Sequence, residues 1–400
     1  MQKPENISWK DTNLALIGTD IDHKVKEAAA QGEEAWQGIG QEAGLCVWRI
    51  EKFQIKPWPE DQYGQFFKGD SYIVLNSSGS GDTLQHDLHI WIGSESTQDE
   101  YGTAAYKMVE ADETLGGAAV QHRQIEGSEA DEFAECFEFL EYLEGGIESG
   151  FTKVEPTKEN PLFFKFRARD NKKGEVTQVP MAISSMDSGS GFILFADKAT
   201  VWVWHGKDMK LMEKIACTHQ GESLCTLGTV TILAQGEDDE EDAEFWDYLN
   251  QGGGGGSSSD GLSCSRSIGS TATGLKTRKS LTSKLKEFKP KIFVVPGEPR
   301  DPLEQVGLGE IIKKAMLKKP MGFFNRSSSS SSTLDEDKVY LIDTGWKIFV
   351  WIGKEADAGE KVAALGAADR YSEIEPRANE LPVTVLKSGQ ERDGFASFFK

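Results

Sequence analysis

Three glutamates, Glu100, Glu213 and Glu360, each stand seven residues after a glycine that closes an aromatic, β-branched run: Gly93, Gly206 and Gly353. A carboxylate repeated at one offset has two chemical uses. It can ligate a hard cation, which takes about six to eight oxygens from carboxylates and carbonyls. It can also sit in the first turn of a helix and meet the positive end of the helix dipole. Asp70, directly after Gly69, has a similar pair of readings, as a ligand or as an ordinary turn residue, and spacing alone leaves both open. A second set of charges alternates with aromatics from Leu162 to Arg169. Period two places Lys165, Arg167 and Arg169 on one face of a strand, with Lys172 and Lys173 close behind. Such a face can meet an acidic protein surface or an anionic lipid headgroup by the same electrostatics, or can simply be solvated.

Other chemistries are disfavoured. His86 and His89 are three apart on a predicted strand and so point to opposite faces, away from a shared metal. No GxSxG elbow, Walker loop, HExxH or supported Cys/His dyad is present, so an enzyme is not expected. The five cysteines are scattered with no CxxC or zinc spacing, which suits free thiols in a reducing cytoplasm. A net charge of −21 argues against nucleic-acid binding, which needs a basic face, and suits a cation binder. The polar start from Met1 to Lys10 and the lack of an apolar run near 18 residues predict neither a signal peptide nor a transmembrane segment.

The elements that must position these residues repeat three times across the 400 residues. Strand-like runs 71–75 and 89–93, 192–195 and 201–206, and 339–342 and 348–353 are each followed by an alanine-containing helical stretch. Short turns such as Asp343-Thr-Gly345 favour antiparallel meanders over βαβ units. The reading is α+β: a leader (1–39), domain 1 (40–155), domain 2 (160–250), a Gly/Ser-rich basic linker (251–288) and domain 3 (289–400). Ser327–Ser332 is a loop within the last domain, and the acidic run Glu237–Asp242 is a solvated turn. The helix from about Asp99 to Leu115 offers two faces at helical spacing: Ala105, Met108, Val109 and Asp112, and Tyr106, Glu110 and Glu113.

Several spaced motifs then carry a resemblance. Gly69-Asp70-Ser-Tyr-Ile-Val-Leu75, Asp87-Leu-His-Ile-Trp-Ile-Gly93, Gly117-Ala-Ala-Val-Gln-His-Arg123, Gly145-Gly-Ile-Glu-Ser-Gly-Phe151 and Gly44-Leu-Cys-Val-Trp-Arg-Ile-Glu-Lys-Phe53 resemble the gelsolin/villin superfamily, in its short three-domain severin/fragmin branch. The resemblance implies three gelsolin-homology domains, each a mixed, mainly antiparallel sheet packed between a long and a shorter helix. It also implies a monomeric cytoplasmic protein that severs actin filaments and caps their barbed ends, with actin monomer and filament as partners. Calcium is the implied cofactor, releasing contacts between domains to expose actin-binding surfaces. A barbed-end capper or bundler without severing, under weakened calcium control, is the alternative.

Carried over residue by residue, the resemblance implies calcium ligands at Gly69, Asp70, Glu100 and Ile147 in domain 1, and at Glu213 and Glu360 in domains 2 and 3. It implies a second site, completed by actin, at Asp112, Gly117 and Ala119. Actin contacts are implied at Tyr101, Ala105, Tyr106, Asp112, Glu113, Leu115, Phe151, Lys165, Arg167 and Arg169, and phosphoinositide contacts at Lys165, Arg167, Arg169, Lys172 and Lys173. Three departures weaken parts of this set. The other lipid-binding segment corresponds to the acidic stretch Glu138–Glu144. The aspartate position is Ser190 in domain 2, where Glu213 is kept and an acid from 237–242 could compensate. In domain 3 it is Lys338, for which an ion pair with Glu360 is the expectation.

Overall fold

The computed structural model describes residues 33–146, 158, 160–168, 174–237, 242–251, 288–297, 302–306, 334–391 and 395. The first unit contains β1 (Gly44–Glu51), β2 (Gln54–Pro57), β3 (Gln65–Phe67), β4 (Ser71–Ser78), β5 (Gln85–Ile92), helix α1 (Gln98–Thr114), β6 (Val120–Ile125), the short α2 (Asp131–Ala134) and β7 (Phe139–Leu143). The second contains β8 (Leu162–Ala168), β9 (Gly174–Gln178), β10 (Gly191–Asp197), β11 (Thr200–His205), α3 (Leu211–Leu224), β12 (Thr231–Ala234) and α4 (Ala243–Gln251). The third contains β13 (Lys291–Val294), β14 (Glu304–Val306), β15 (Val339–Asp343), β16 (Ile348–Ile352), α5 (Ala358–Leu365), α6 (Ala367–Ile374) and β17 (Val383–Lys387).

The six strand-like runs of the sequence become β4, β5, β10, β11, β15 and β16, and each consecutive pair is antiparallel. The expectation of a plain meander needs one correction. After each pair the chain crosses over through a helix and returns parallel, as β5–β6, β11–β12 and β16–β17. A helix is the usual way to make that crossover, because parallel neighbours cannot be joined by a tight turn. Trp91, Trp204 and Trp351 hold one repeated place, two residues before the closing glycine, and all three are fully buried. Replacing any of them with alanine would cost about 3–5 kcal/mol.

The sheets do not stop at the units. One ten-stranded sheet runs β14-β13-β15-β16-β17-β6-β5-β4-β1-β2, and a seven-stranded sheet runs β12-β11-β10-β8-β9-β7-β3. The first is closed by β6 and β17, which pair antiparallel with Val383 opposite Arg123, Thr384 opposite His122 and Val385 opposite Gln121. His122 anchors this seam, bonding Asp87 Oδ1 through Nε2 and Thr384 Oγ1 through Nδ1, both at 2.9 Å. Arg123 pairs with Asp369 at 3.0 Å, and Lys347 of the third unit pairs with Glu132 of the first. In the second sheet β7 of the first unit lies parallel to β9, so the first unit is built into both sheets. Among the described residues no helix is long and apolar enough to cross a membrane.

Glu129 lies buried beneath Trp91, its Oε1 accepting the indole N–H at 2.8 Å and Gly127 N–H at 3.1 Å. Burial, reinforced by the charge of Glu175, pushes its carboxyl up from 4.5 to about 7. The folded chain therefore holds this proton more tightly than the unfolded chain. The resulting stability is complete below pH 4.5 and is lost as pH rises through about 7. The window is worth about 3 kcal/mol. Glu129→Gln keeps the acceptor for Trp91, so it should flatten the loss of urea stability between about pH 5 and 8. An identical slope in wild type and variant would show that Glu129 carries no such proton.

Candidate functional site

Each unit turns the same corner. The N–H groups of Gly93, Gly206 and Gly353 donate to the carbonyls of Asp70 (3.0 Å), Ser190 (3.2 Å) and Lys338 (3.0 Å), which makes those three positions equivalent. A Cβ on the glycines would stand 2.1 Å from Lys68 O, 2.3 Å from Ser188 O and 2.2 Å from Glu336 O, so no side chain fits there. The glutamates seven residues on then fall at the third helical position. Glu100 accepts from Thr97 N–H (3.0 Å), Glu213 from Lys210 N–H (3.0 Å) and Glu360 from Asp357 N–H (3.2 Å). This capping role satisfies an N–H at the helix entrance that has no intrahelical partner, and it explains the constant offset in all three units.

In the first unit the residue whose carbonyl receives the glycine N–H is itself a carboxylate, Asp70. Asp70 is fully buried and ion-paired to Arg49 of β1 through Oδ2. Its Oδ1 faces the Gly145-Gly146 turn so closely that a Cβ on Gly146 would come within 2.8 Å of it. The turn is tied down by Gly69 N–H donating to Gly145 O at 2.8 Å. A hydroxyl chain runs from the residue after Asp70 to Glu100: Ser71 Oγ lies 2.9 Å from Ser96 Oγ, which donates to Glu100 Oε2 at 3.2 Å. Asp70 and Glu100 supply carboxylate oxygens, the hard donors that calcium takes. Asp70, Glu100 and the carbonyl of Gly69 would hold the ion; Ile147 lies outside the described residues. Among the described residues no group of three or more acidic, His or Cys side chains is gathered to hold a metal.

A second cradle forms where α1 ends. Gly116 and Gly117 follow one another with φ of +68° and +70°, a left-handed path that glycine takes without penalty. The path returns the chain so that Gly117 N–H donates to Asp112 O at 2.7 Å and Ala119 N–H to Asp112 Oδ1 at 3.0 Å. Gln121 donates to Asp112 Oδ2 at 2.9 Å. Asp112, Gly117 and Ala119 are thus brought together, and Lys387 reaches them from β17. Its ammonium donates to Gly117 O at 2.7 Å and lies 3.5 Å from Asp112 Oδ2.

Helix α1 packs Ala104, Met108, Ala111 and Leu115 against the sheet. That series is one residue out of step with the sequence series beginning at Ala105, which is itself exposed. Tyr101 and Tyr106 are exposed as well, Tyr106 to 57%, while Glu113 is half-buried. Leu115, an expected contact residue, is instead half-buried in the core beneath. Glu110 is bonded to the Tyr106 side chain as the grouping implies, but it is buried, accepting also from Trp36 Nε1 (3.3 Å) and Lys107 Nζ (2.8 Å). Lys107 also holds Glu33 at 2.8 Å, fastening the segment before β1 to the helix.

In the second unit the acid near Ser190 is Asp187. Burial opposes its charge, but the bond and charge of Lys165, with bonds from Ser190 and Gly189, outweigh that and hold its carboxyl below the usual range. Lys165 donates to Asp187 Oδ2 at 2.5 Å, so this cation of the basic strand is already engaged. Arg167 is half-buried on β8, while Arg169, Lys172, Lys173 and Phe151 lie outside the described residues. Asp242, expected in a solvated turn, instead caps α4 through Phe245 N–H and accepts from Trp202 Nε1, both at 3.0 Å. The remaining acids of that run, 238–241, also lie outside the described residues.

In the third unit the expected Lys338–Glu360 ion pair does not form among the described residues. Glu360 completes a reciprocal capping box with Asp357, which accepts from Glu360 N–H at 2.8 Å. Burial first, and then the charges of Asp357 and Asp337, raise its carboxyl, with Lys338 only a weak counterweight. Three engaged residues were missed from sequence. Arg49 carried a signal, a lone cation between apolar neighbours in Val47–Ile50. Asp187 sits in a Ser/Gly-rich stretch, and Lys387 lies 275 positions from Asp112, so neither carried one.

The gelsolin repeat matches residues 59–134 and 325–396, the first and third corners; the second shares their geometry without that match. Gelsolin-like protein 1 of Lumbricus terrestris is 34% identical over 394 residues, covering 97% of this chain and 95% of the relative. Severin of Echinococcus granulosus is 31% identical over 403 residues, covering 97% and 96%. Cytoplasmic gelsolin of Homarus americanus is 31% identical over 377 residues, covering 92% of this chain and 45% of its own length. With three equivalent Gly–Glu corners and relatives matched end to end, the chain belongs to the gelsolin family.

Proposed function

We propose that this protein binds calcium and actin, severs actin filaments and caps their barbed ends as a cytoplasmic monomer. The observation that carries this reading is the pair of exposed tyrosines on α1, Tyr101 and Tyr106, on the helix whose C-terminal end carries Asp112 of the Asp112–Gly117–Ala119 cradle. Exposed aromatic side chains on a helix suit helix-in-groove recognition, and the cradle at its end would let a cation bridge the two partners. Relatives named gelsolin and severin support the same activity. When bound, calcium would supply the positive charge that ties a buried aspartate, a helix-capping glutamate and a backbone loop into one unit. Asp70 and Glu100 would hold the ion of the first corner, where Arg49 is ion-paired to Asp70 through Oδ2.

Capping without severing is the second reading, and one observation favours it. Severing needs a grip on the filament side, and Lys165, the first cation of the basic strand, is committed to Asp187. Phosphoinositide binding through Arg167, Arg169, Lys172 and Lys173 would suffer less. Labelled single filaments distinguish the readings: breaks along filament sides only in micromolar calcium support severing, arrested barbed-end growth without breaks supports capping, and neither effect overturns both.

Two variants test the residues. Tyr106→Ala removes an exposed ring that lies outside the core, so it should weaken barbed-end capping about tenfold, with a stability loss of about 1 kcal/mol from its hydrogen bond to Glu110. Full capping by the variant would exclude Tyr106 as an anchor. Glu100→Gln should lower the number of calcium ions bound by one in isothermal titration, and an unchanged stoichiometry would remove the first-corner site.

A further inference from the structure

We propose that Lys387 is a tethered competitor for the cation at the Asp112–Gly117–Ala119 cradle, its ammonium occupying the site while the β6–β17 seam is closed, until a divalent ion displaces it. The inference rests on the proposed function, in which that cradle receives calcium.

Every acceptor of the cradle is already served from within the chain. Asp112 Oδ1 takes the Ala119 N–H, and Oδ2 takes Gln121 Nε2 at 2.9 Å and faces Lys387 Nζ at 3.5 Å. Lys387 Nζ donates to Gly117 O at 2.7 Å. Gln390, three residues on, donates to Ala118 O at 3.0 Å and approaches Ala119 O at 3.5 Å. A carbonyl oxygen holding an ammonium proton at hydrogen-bond distance cannot also face a calcium ion at about 2.3–2.6 Å without expelling the donor. One positive charge thus stands where two would bind, among the same oxygens.

The competitor is coupled to the domain seam by covalent geometry. Lys387 is the last residue of β17, two positions after Val385, whose partner across the seam is Gln121. Gln121 in turn bonds Asp112, so strand pairing and cradle share residues. Separating β6 from β17 withdraws the ammonium, and filling the cradle with a divalent ion repels it. The two events are reciprocal by linkage. The ammonium side chain is 46% exposed, so the pair itself adds little to stability; its effect is to occupy the site.

Hydrogen exchange of β6 and β17 amides in the full chain, followed across a calcium titration, tests this. Lys387→Met keeps the stem and removes the charge. Calcium at saturation should raise seam opening roughly tenfold in wild type, within the range usual for site–site coupling, and this response should be absent in Lys387→Met, whose cradle takes calcium equally with the seam closed or open. Lys387→Arg should stay near wild type. Asp112→Asn with Lys387 in place should also abolish the response. A wild-type response in Lys387→Met that Asp112→Asn abolishes would leave the cradle a cation site and overturn the competitor. A response indifferent to Asp112→Asn would instead overturn the reading that calcium acts at this cradle.

Discussion

The backbone pairing of β6 with β17 fuses strands from the two ends of the chain into one sheet, and the rest of the arrangement depends on it. The seam is short, with three residue pairs. Side chains within and beside it add to the pairing: His122 between Asp87 and Thr384, Lys347 with Glu132, Arg123 with Asp369. Such a junction combines a few backbone hydrogen bonds with ion pairs at the margin. A small differential affinity of a ligand for the open form can shift its population. A fully apolar interface of the same extent would be far less responsive to charge.

Charge is also what the acidic pockets have in common. In the first unit a guanidinium holds Asp70, at the end of α1 an ammonium faces Asp112, and in the second unit an ammonium holds Asp187. Each acidic pocket is answered by a cation from elsewhere in the fold. Burying an unpaired carboxylate is costly, so a chain that keeps acidic cation sites needs such partners when the sites hold no ion. The third unit differs at the aspartate position, which holds Lys338, while Glu360 keeps the capping role shared by Glu100 and Glu213. The three corners thus share a backbone and differ in electrostatics.

Much of this was legible in the sequence. Aromatic runs ending in glycine marked the paired strands, because a pleated half-buried surface selects β-branched and aromatic residues. The Gly-to-Glu offset marked the strand exit and helix entrance, since both are fixed by local backbone geometry. The phase of α1 was harder: its buried series runs Ala104–Met108–Ala111–Leu115, and small alanines on both sides blur the periodicity. What could not be read was anything set by pairing distant segments. The β6–β17 seam, the partition of the first unit between two sheets, and the meeting of Lys387 with Asp112 depend on tertiary register. The Lys338–Glu360 expectation failed for a local reason, because Asp357 caps the helix and draws Glu360 toward its own N–H.

If calcium relieves the closed state, its effect must be visible in the shape of the whole molecule, apart from any partner. The most direct measurement is small-angle X-ray scattering of the full chain in chelator and in saturating calcium. The expected result is a larger radius of gyration with calcium, from separation of the third unit from the first. Identical scattering in both conditions would contradict calcium control through this seam.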